Sequence, residues 1–156
     1  MIGYNEIPEI PVGDAVERSH GCCYKLKKGS QCPFEVPEGH DFCFWHDPET
    51  DKSSMDARIT LTQLCIQRVD CAGFELSGLD LSKLRLSDGR FTYANFSGSS
   101  LEYCDLKKGR FFRANFKGAS LFRTELSGAN MRSTELQDAN LLRTNLDGVK
   151  LEGANF

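Results

Sequence analysis

The stretch ANFSGSSLEYCDLKKGRFFRANFKGASLFRTELSGANMRSTELQDANLLRTNLDGVKLEGANF (94–156) carries an apolar residue at every fifth position, from Phe96 to Phe156, without a missed beat. The same beat extends back through Phe91, Leu86, Leu81, Leu76, Cys71 and Ile66 to Leu61. Two residues ahead of each beat stands a second series, mostly small from Gly89 onward: Gly89, Ala94, Ser99, Cys104, Gly109, Ala114, Ala119 and Thr124 open it. An α-helix rotates about 100° per residue, so a five-residue period moves each apolar side chain by about 140° and leaves no stripe. A flat strand fails as well, because an odd spacing sends successive apolar residues to opposite faces. Helix and flat strand are therefore excluded over Ile59–Phe156, and the chain must bend once per five residues. Repetition of one short segment and one corner reads as a solenoid.

The units ANFSG (94–98), ANFKG (114–118), TELSG (124–128), ANMRS (129–133), ANLLR (139–143), TNLDG (144–148) and VKLEG (149–153) resemble pentapeptide repeats. That resemblance implies an all-β fold: a right-handed, four-sided β-helix with twenty residues per coil over 59–156. Residues twenty apart would then stack, putting Phe96, Phe116, Leu136 and Phe156 in one interior column and Phe91 and Phe111 in another. Strands about 4.8 Å apart would make five coils a rod of roughly 24 Å. Two inward side chains per side share a narrow interior, which accounts for small residues beside Phe or Leu. The first six members of the second series depart from this pattern, since Ile59, Leu64, Val69, Phe74, Leu79 and Leu84 are large. They predict either a wider first coil or a cap of another conformation over 56–68, because an open β-helix end exposes unpaired backbone.

Ahead of the repeats, residues 1–19 read as an extended arm, 20–49 as a compact zinc-binding cap and 50–58 as a polar linker. The segment 20–49 contains Cys22, Cys32, Cys43 and His46, spaced Cys-x9-Cys-x10-Cys-x2-His. Three thiols and an imidazole suit a tetrahedral zinc ion, and Cys-x2-His can bind from one turn. The spacing resembles the WRC-type zinc motif of plant regulators over some 25 residues. Cys23 and His40 are rival ligands, and free thiols in a loop are the competing reading. A closed four-ligand site leaves no position for water, so the zinc would be structural. Phe42, Phe44 and Trp45 read as an apolar plug against the first coil, and Cys71 and Cys104, at inward positions, as small core residues.

Charge and cysteine usage bound the function. The chain carries a net charge of −3, but 59–156 holds 13 basic and 11 acidic residues, a mixed and nearly neutral surface. No window approaches 18 apolar residues, and the start MIGYNEIPEIPVGD lacks a basic region followed by an apolar one, so a cytoplasmic protein without membrane association is expected. Seven cysteines, an odd count, favour reduced thiols or metal ligands over a disulfide framework.

All three histidines precede residue 47, which leaves the repeats without an imidazole for proton transfer. The outward column Arg85, Asp105, Glu125, Asn145 reads as a charge ladder and not as a catalytic carboxylate pair. No enzyme is expected. Tyr103, Phe122, Arg123, Leu142 and Arg143 share one outward side and have the composition of a protein-binding patch. The expected function is a protein-interaction scaffold with an unidentified protein partner. The alternative is modulation of a topoisomerase such as gyrase by DNA mimicry, known in some members of the resembled family, which requires an acidic rod. Direct nucleic-acid binding is disfavoured, because Glu35, Glu38 and Asp41 offset Lys25, Lys27 and Lys28. A homodimer is expected through the C-terminal coil, with Leu146 and Leu151 near the centre and Phe156 at the rim.

Overall fold

In the computed structural model the chain forms two compact units, Met1–Phe44 and Trp45–Phe156, and the structure describes residues 32, 34, 36 and 38–156. The arm expected over 1–19 and the candidate ligand Cys22 lie outside the described residues, as does its rival Cys23.

From Asp70 onward, every fifth residue forms a parallel bridge with the residue twenty positions later, from Asp70↔Arg90 and Glu75↔Asn95 to Glu135↔Asn155. Each side of a coil adds backbone bonds of the same register: Phe91 N–H donates to the Arg110 carbonyl (2.8 Å), Tyr93 N–H to Phe112 (3.0 Å), and Asn115 N–H to Ala94 (3.0 Å). Four five-residue sides thus close one coil, and the second unit contains a four-sided β-helix. Its first coil, with large residues at Phe74, Leu79 and Leu84, keeps the same twenty-residue register as the others.

The fifth-position residues fill the interior. Phe91, Phe96, Phe111 and Phe116 are fully buried, each contributing about 2 to 3 kcal/mol relative to exposure. Phe96 and Phe116 stack with centroids 4.9 Å apart and planes 3° apart, and Phe91 and Phe111 stack at 5.8 Å and 4°. The two columns meet edge to face, at 73° between Phe91 and Phe96 and 69° between Phe111 and Phe116. Rings at coil spacing therefore adopt both of the favoured aromatic geometries. The small second series has a direct steric cause. A methyl added at Gly109 would run into the Phe111 ring and lie 3.0 Å from the Leu106 carbonyl, and Gly89 stands in the same relation to Phe91 and Leu86. Where the small residue is polar, its hydroxyl finds a carbonyl: Ser99 donates to Phe96, Thr124 to Leu101 and Thr134 to Met131, all at 2.7 to 2.8 Å.

The β-helix does not begin at Ile59. An α-helix, α1 (Met55–Ile66), occupies the first two expected repeats. Ala57, Leu61, Leu64 and Cys65 are its buried residues, an i, i+4, i+7, i+8 stripe that serves helical and not five-residue periodicity. Ile59, counted in the second series, and Ile66, counted in the five-residue beat, are 51% and 74% exposed. Ser54 caps the helix by accepting from Ala57 N–H (3.2 Å), with Asp56 in the first turn. Residues 47–54 are also more ordered than a linker. The Lys52 ammonium is buried and donates to the Asp47 and Thr50 carbonyls, while Asp47 accepts from Glu49 N–H and the Thr50 hydroxyl, both at 2.9 Å.

Within the second unit, the residues ahead of the coils close the first coil's edge. Four backbone groups that a preceding coil would pair have other partners. Glu75 N–H donates to the Trp45 carbonyl (2.8 Å). The Ala72 carbonyl accepts from His46 Nε2 (2.9 Å). The Asp80 carbonyl accepts from the Arg58 guanidinium, which also reaches the Ser82 carbonyl (2.8 Å). Trp45 stacks on Phe74 at 5.0 Å and 4°, the packing expected of that member of the plug. The edge is covered, as β-sheet edges in stable proteins are.

Candidate functional site

Of the expected ligands among the described residues, Cys32 and Cys43 belong to the first unit and His46 to the second. In the first unit the Cys32 and Cys43 Sγ atoms lie 3.6 Å apart, both buried and neither in a disulfide. Two thiolates on a tetrahedral zinc at about 2.3 Å each would be separated by about 3.8 Å, so the pair fits one edge of such a site. In the second unit His46 is buried and Nε2 faces the Ala72 carbonyl. A carbonyl only accepts, so Nε2 donates to it, and the bond orients the ring as second hydrogen bonds orient metal-binding histidines. His40, the rival imidazole, is exposed. The hydrogen bond to Ala72 is the element that spacing did not disclose, since it joins residues 26 positions apart.

The expected partner-binding residues do share one side of the β-helix. Tyr103, Arg123 and Arg143 occupy the same turn position in successive coils, and Phe122 and Leu142 precede the last two. Tyr103 meets Phe122 edge on at 5.7 Å and 86°, and the Arg123 guanidinium lies 5.8 Å from the Tyr103 ring and 5.5 Å from that of Phe122. Tyr103 is 46% and Leu142 63% exposed. Lys83, twenty residues before Tyr103, completes the column and was missed in the sequence, although the stacking rule suffices to find it.

The carboxylates Asp105 and Glu125 stand on adjacent coils of the expected ladder. Asp105 accepts from Lys107 N–H (3.1 Å), whereas Glu125 accepts from the Asn145 amide (3.0 Å) and lies 4.0 Å from the Lys107 ammonium. Glu125 is thus engaged within the ladder and Asp105 within its own turn. Cys71 is held well above the ordinary thiol range by its hydrogen bond to Cys65 and by burial, and burial pushes Cys104 up to about 11. Neither is a reactive thiolate near neutrality.

A family model for pentapeptide repeats matches the chain in eight copies, over residues 65–102, 80–118, 90–128 and 124–156. The chain belongs to the pentapeptide-repeat family. Pentapeptide-repeat proteins are generally non-enzymatic scaffolds. A pentapeptide repeat protein from the cyanobacterium Cyanothece 51142 is similar at 28% identity and a TM-score of 0.56, over 57% of this chain and 61% of that one. One from the Arabidopsis thaliana thylakoid lumen shares 31% identity over 51% of this chain and 55% of its own, with a TM-score of 0.33. HetL of Nostoc, involved in heterocyst differentiation regulation, shares 27% identity over 56% and 49%, with a TM-score of 0.21. This pentapeptide-repeat chain thus spans about half to three fifths of the length of these solved structures. No curated protein sequence matches it. Among its described residues no helix is long and apolar enough to cross a membrane.

Proposed function

We propose that this pentapeptide-repeat protein is a non-enzymatic, cytoplasmic protein-interaction scaffold that presents Tyr103, Phe122, Arg123, Leu142 and Arg143 to a protein partner. The observation that carries this reading is the exposure of Tyr103 and Leu142 beside Phe122 on a β-helix whose other large apolar side chains mostly turn inward. Exposed aromatic and aliphatic groups next to arginine have the composition of an interface centre. In the same reading a structural zinc is held by Cys32, Cys43 and His46 with Cys22 as fourth ligand, supported by the ligand spacing, the 3.6 Å thiol separation and the burial of His46. A homodimer through the last coil belongs to it as well, supported by the exposure of Leu146 and Phe156 and the half-burial of Leu151.

Modulation of gyrase by DNA mimicry is the weaker reading. Arg90 bridges Arg110 on adjacent coils, and Lys150 continues that column beyond Asn130, which interrupts the acidic run that phosphate mimicry needs. A photo-crosslinking amino acid in place of Tyr103 in the full chain, used in lysate of the native host, tests the choice. The expected result is capture of one protein, lost on Leu142→Asp. Capture of no protein from this position, or inhibition of gyrase supercoiling by micromolar protein, overturns the reading.

A further inference from the structure

The second residue of each turn adopts a left-handed conformation throughout the β-helix, and the sides differ in which residues they place there. On the side headed by Leu76, Phe96, Phe116 and Leu136 this position is Gly78, Gly98, Gly118 and Asp138. On the side headed by Leu81, Leu101, Leu121 and Leu141 it is Lys83, Tyr103, Arg123 and Arg143, with φ of 63°, 58°, 54° and 60°. Glycine enters this conformation freely, whereas each side chain with a Cβ costs about 1 kcal/mol or more. One side therefore accepts local strain in all four coils to display three cations and a tyrosine. Other sides place a Cβ there in some coils, at Asp88, Tyr93, Lys108, Arg113, Ser133 and Asp138. This side alone does so in every coil, which points to a function for its side chains.

Positive charge is in excess on that side, with Lys83, Arg123 and Arg143 against Glu102 once Asp80 is paired with Arg58. Lys83, Arg123 and Arg143 make no ion pair among the described residues. The carboxylates of the same side are already engaged, Asp80 with Arg58 (3.5 Å) and Glu102 with the Ser120 hydroxyl (2.8 Å). Arg123 and Arg143 sit on adjacent coils, where like charges oppose each other. The opposite side repeats the aromatic and arginine arrangement with Tyr93, Phe112 and Arg113, but Tyr93 and Phe112 have further partners.

We propose that the Lys83–Arg143 side docks an acidic segment of a protein partner, with carboxylates on Arg123, Arg143 and Lys83 and an aliphatic or aromatic side chain on Phe122 and Leu142. This rests on the scaffold reading above and specifies the chemistry of its partner. Carboxylates match the guanidinium fork, and they would relieve the repulsion between the stacked arginines. A single nucleic-acid strand would need open aromatic faces for base stacking. Here Tyr103 and Phe122 meet edge on beneath Arg123, and the most exposed apolar group of the side, Leu142, is aliphatic. The geometry favours a peptide.

Fluorescence anisotropy of the full chain with a labelled synthetic peptide of alternating glutamate and leucine, against its lysine counterpart, tests the proposal. Binding of the acidic peptide alone is expected. Arg123→Glu with Arg143→Glu should weaken it by about tenfold or more, and binding should fall as salt rises toward about 0.5 M. Both substitutions keep a side chain of similar backbone cost, and an unchanged thermal midpoint confirms that the fold is intact. Equal binding by wild type and the double variant overturns the proposal, as does binding of a labelled oligonucleotide or of anionic vesicles in place of the peptide. Crosslinked capture at Tyr103 that depends on Leu142 but not on Arg123 and Arg143 would overturn the acidic partner while leaving the scaffold standing; absence of any capture removes both.

Discussion

At Gly109 the constraint is volume. No strained backbone calls for glycine there; the Phe111 ring and the Leu106 carbonyl simply occupy the place of a Cβ. Gly109→Ala should destabilise the protein by about 1 to 3 kcal/mol through overpacking, measured by urea unfolding, and wild-type stability would refute the steric account. Cys104 fills the equivalent small position on the preceding side and is subject to a different constraint. Its thiol is almost fully buried and pushed up to about 11 from an ordinary value near 9. The folded state holds that proton more tightly than the unfolded chain. Its contribution, on the order of 2 to 3 kcal/mol, is therefore present in full below pH 9 and lost as pH climbs from about 9 to about 11. Unfolding free energies of wild type and Cys104→Ala should converge over that interval, and parallel pH profiles would contradict the burial of the thiol.

Among the elements, the coils from Asp70 onward were legible because one inward residue per five has no other explanation. The helix Met55–Ile66 was hidden by coincidence of period. Leu61 lies on the buried face of α1 and also on the five-residue beat, and Ile66 continues the beat while pointing to solvent. The signals that separate the two were present: Ser54 as a cap, and Ala57, Leu61, Leu64 and Cys65 at helical spacing. The ligand group was legible in part, since Cys32, Cys43 and His46 announce themselves by residue type. The bond from His46 to Ala72, and the two bonds by which Arg58 closes the first coil, depend on three-dimensional proximity that spacing does not encode. Purified protein should carry about one zinc per chain, and Cys43→Ser should lose most of it by metal analysis. Because ligand binding and folding are one process in so short a segment, chelation should raise hydrogen exchange over 38–50 while the coils beyond Phe91 remain protected. Exchange throughout the β-helix on chelation would show instead that the metal supports the whole second unit.

For the molecule as a whole, the first coil and the coil of residues 137–156 differ in how their apolar residues are covered. The first coil is closed by Trp45, His46 and Arg58, whereas the last described coil leaves Leu146 and Phe156 exposed and Leu141 and Leu151 only half-buried. Light scattering should report a dimer for wild type and a monomer for Leu151→Lys, and a wild-type monomer at high micromolar concentration would rule out this contact. Stacking by twenty also bears on how such a chain can change length. The side on which an outward residue appears depends only on its position within the twenty-residue coil, while any five-residue unit with an apolar centre satisfies the interior. Deleting residues 126–130 would preserve the inward beat, yet carry Leu142 and Arg143 a quarter turn away from Phe122 and Arg123. Insertions and deletions of five residues are consequently neutral for packing and ruinous for the displayed side, and only steps of twenty preserve both.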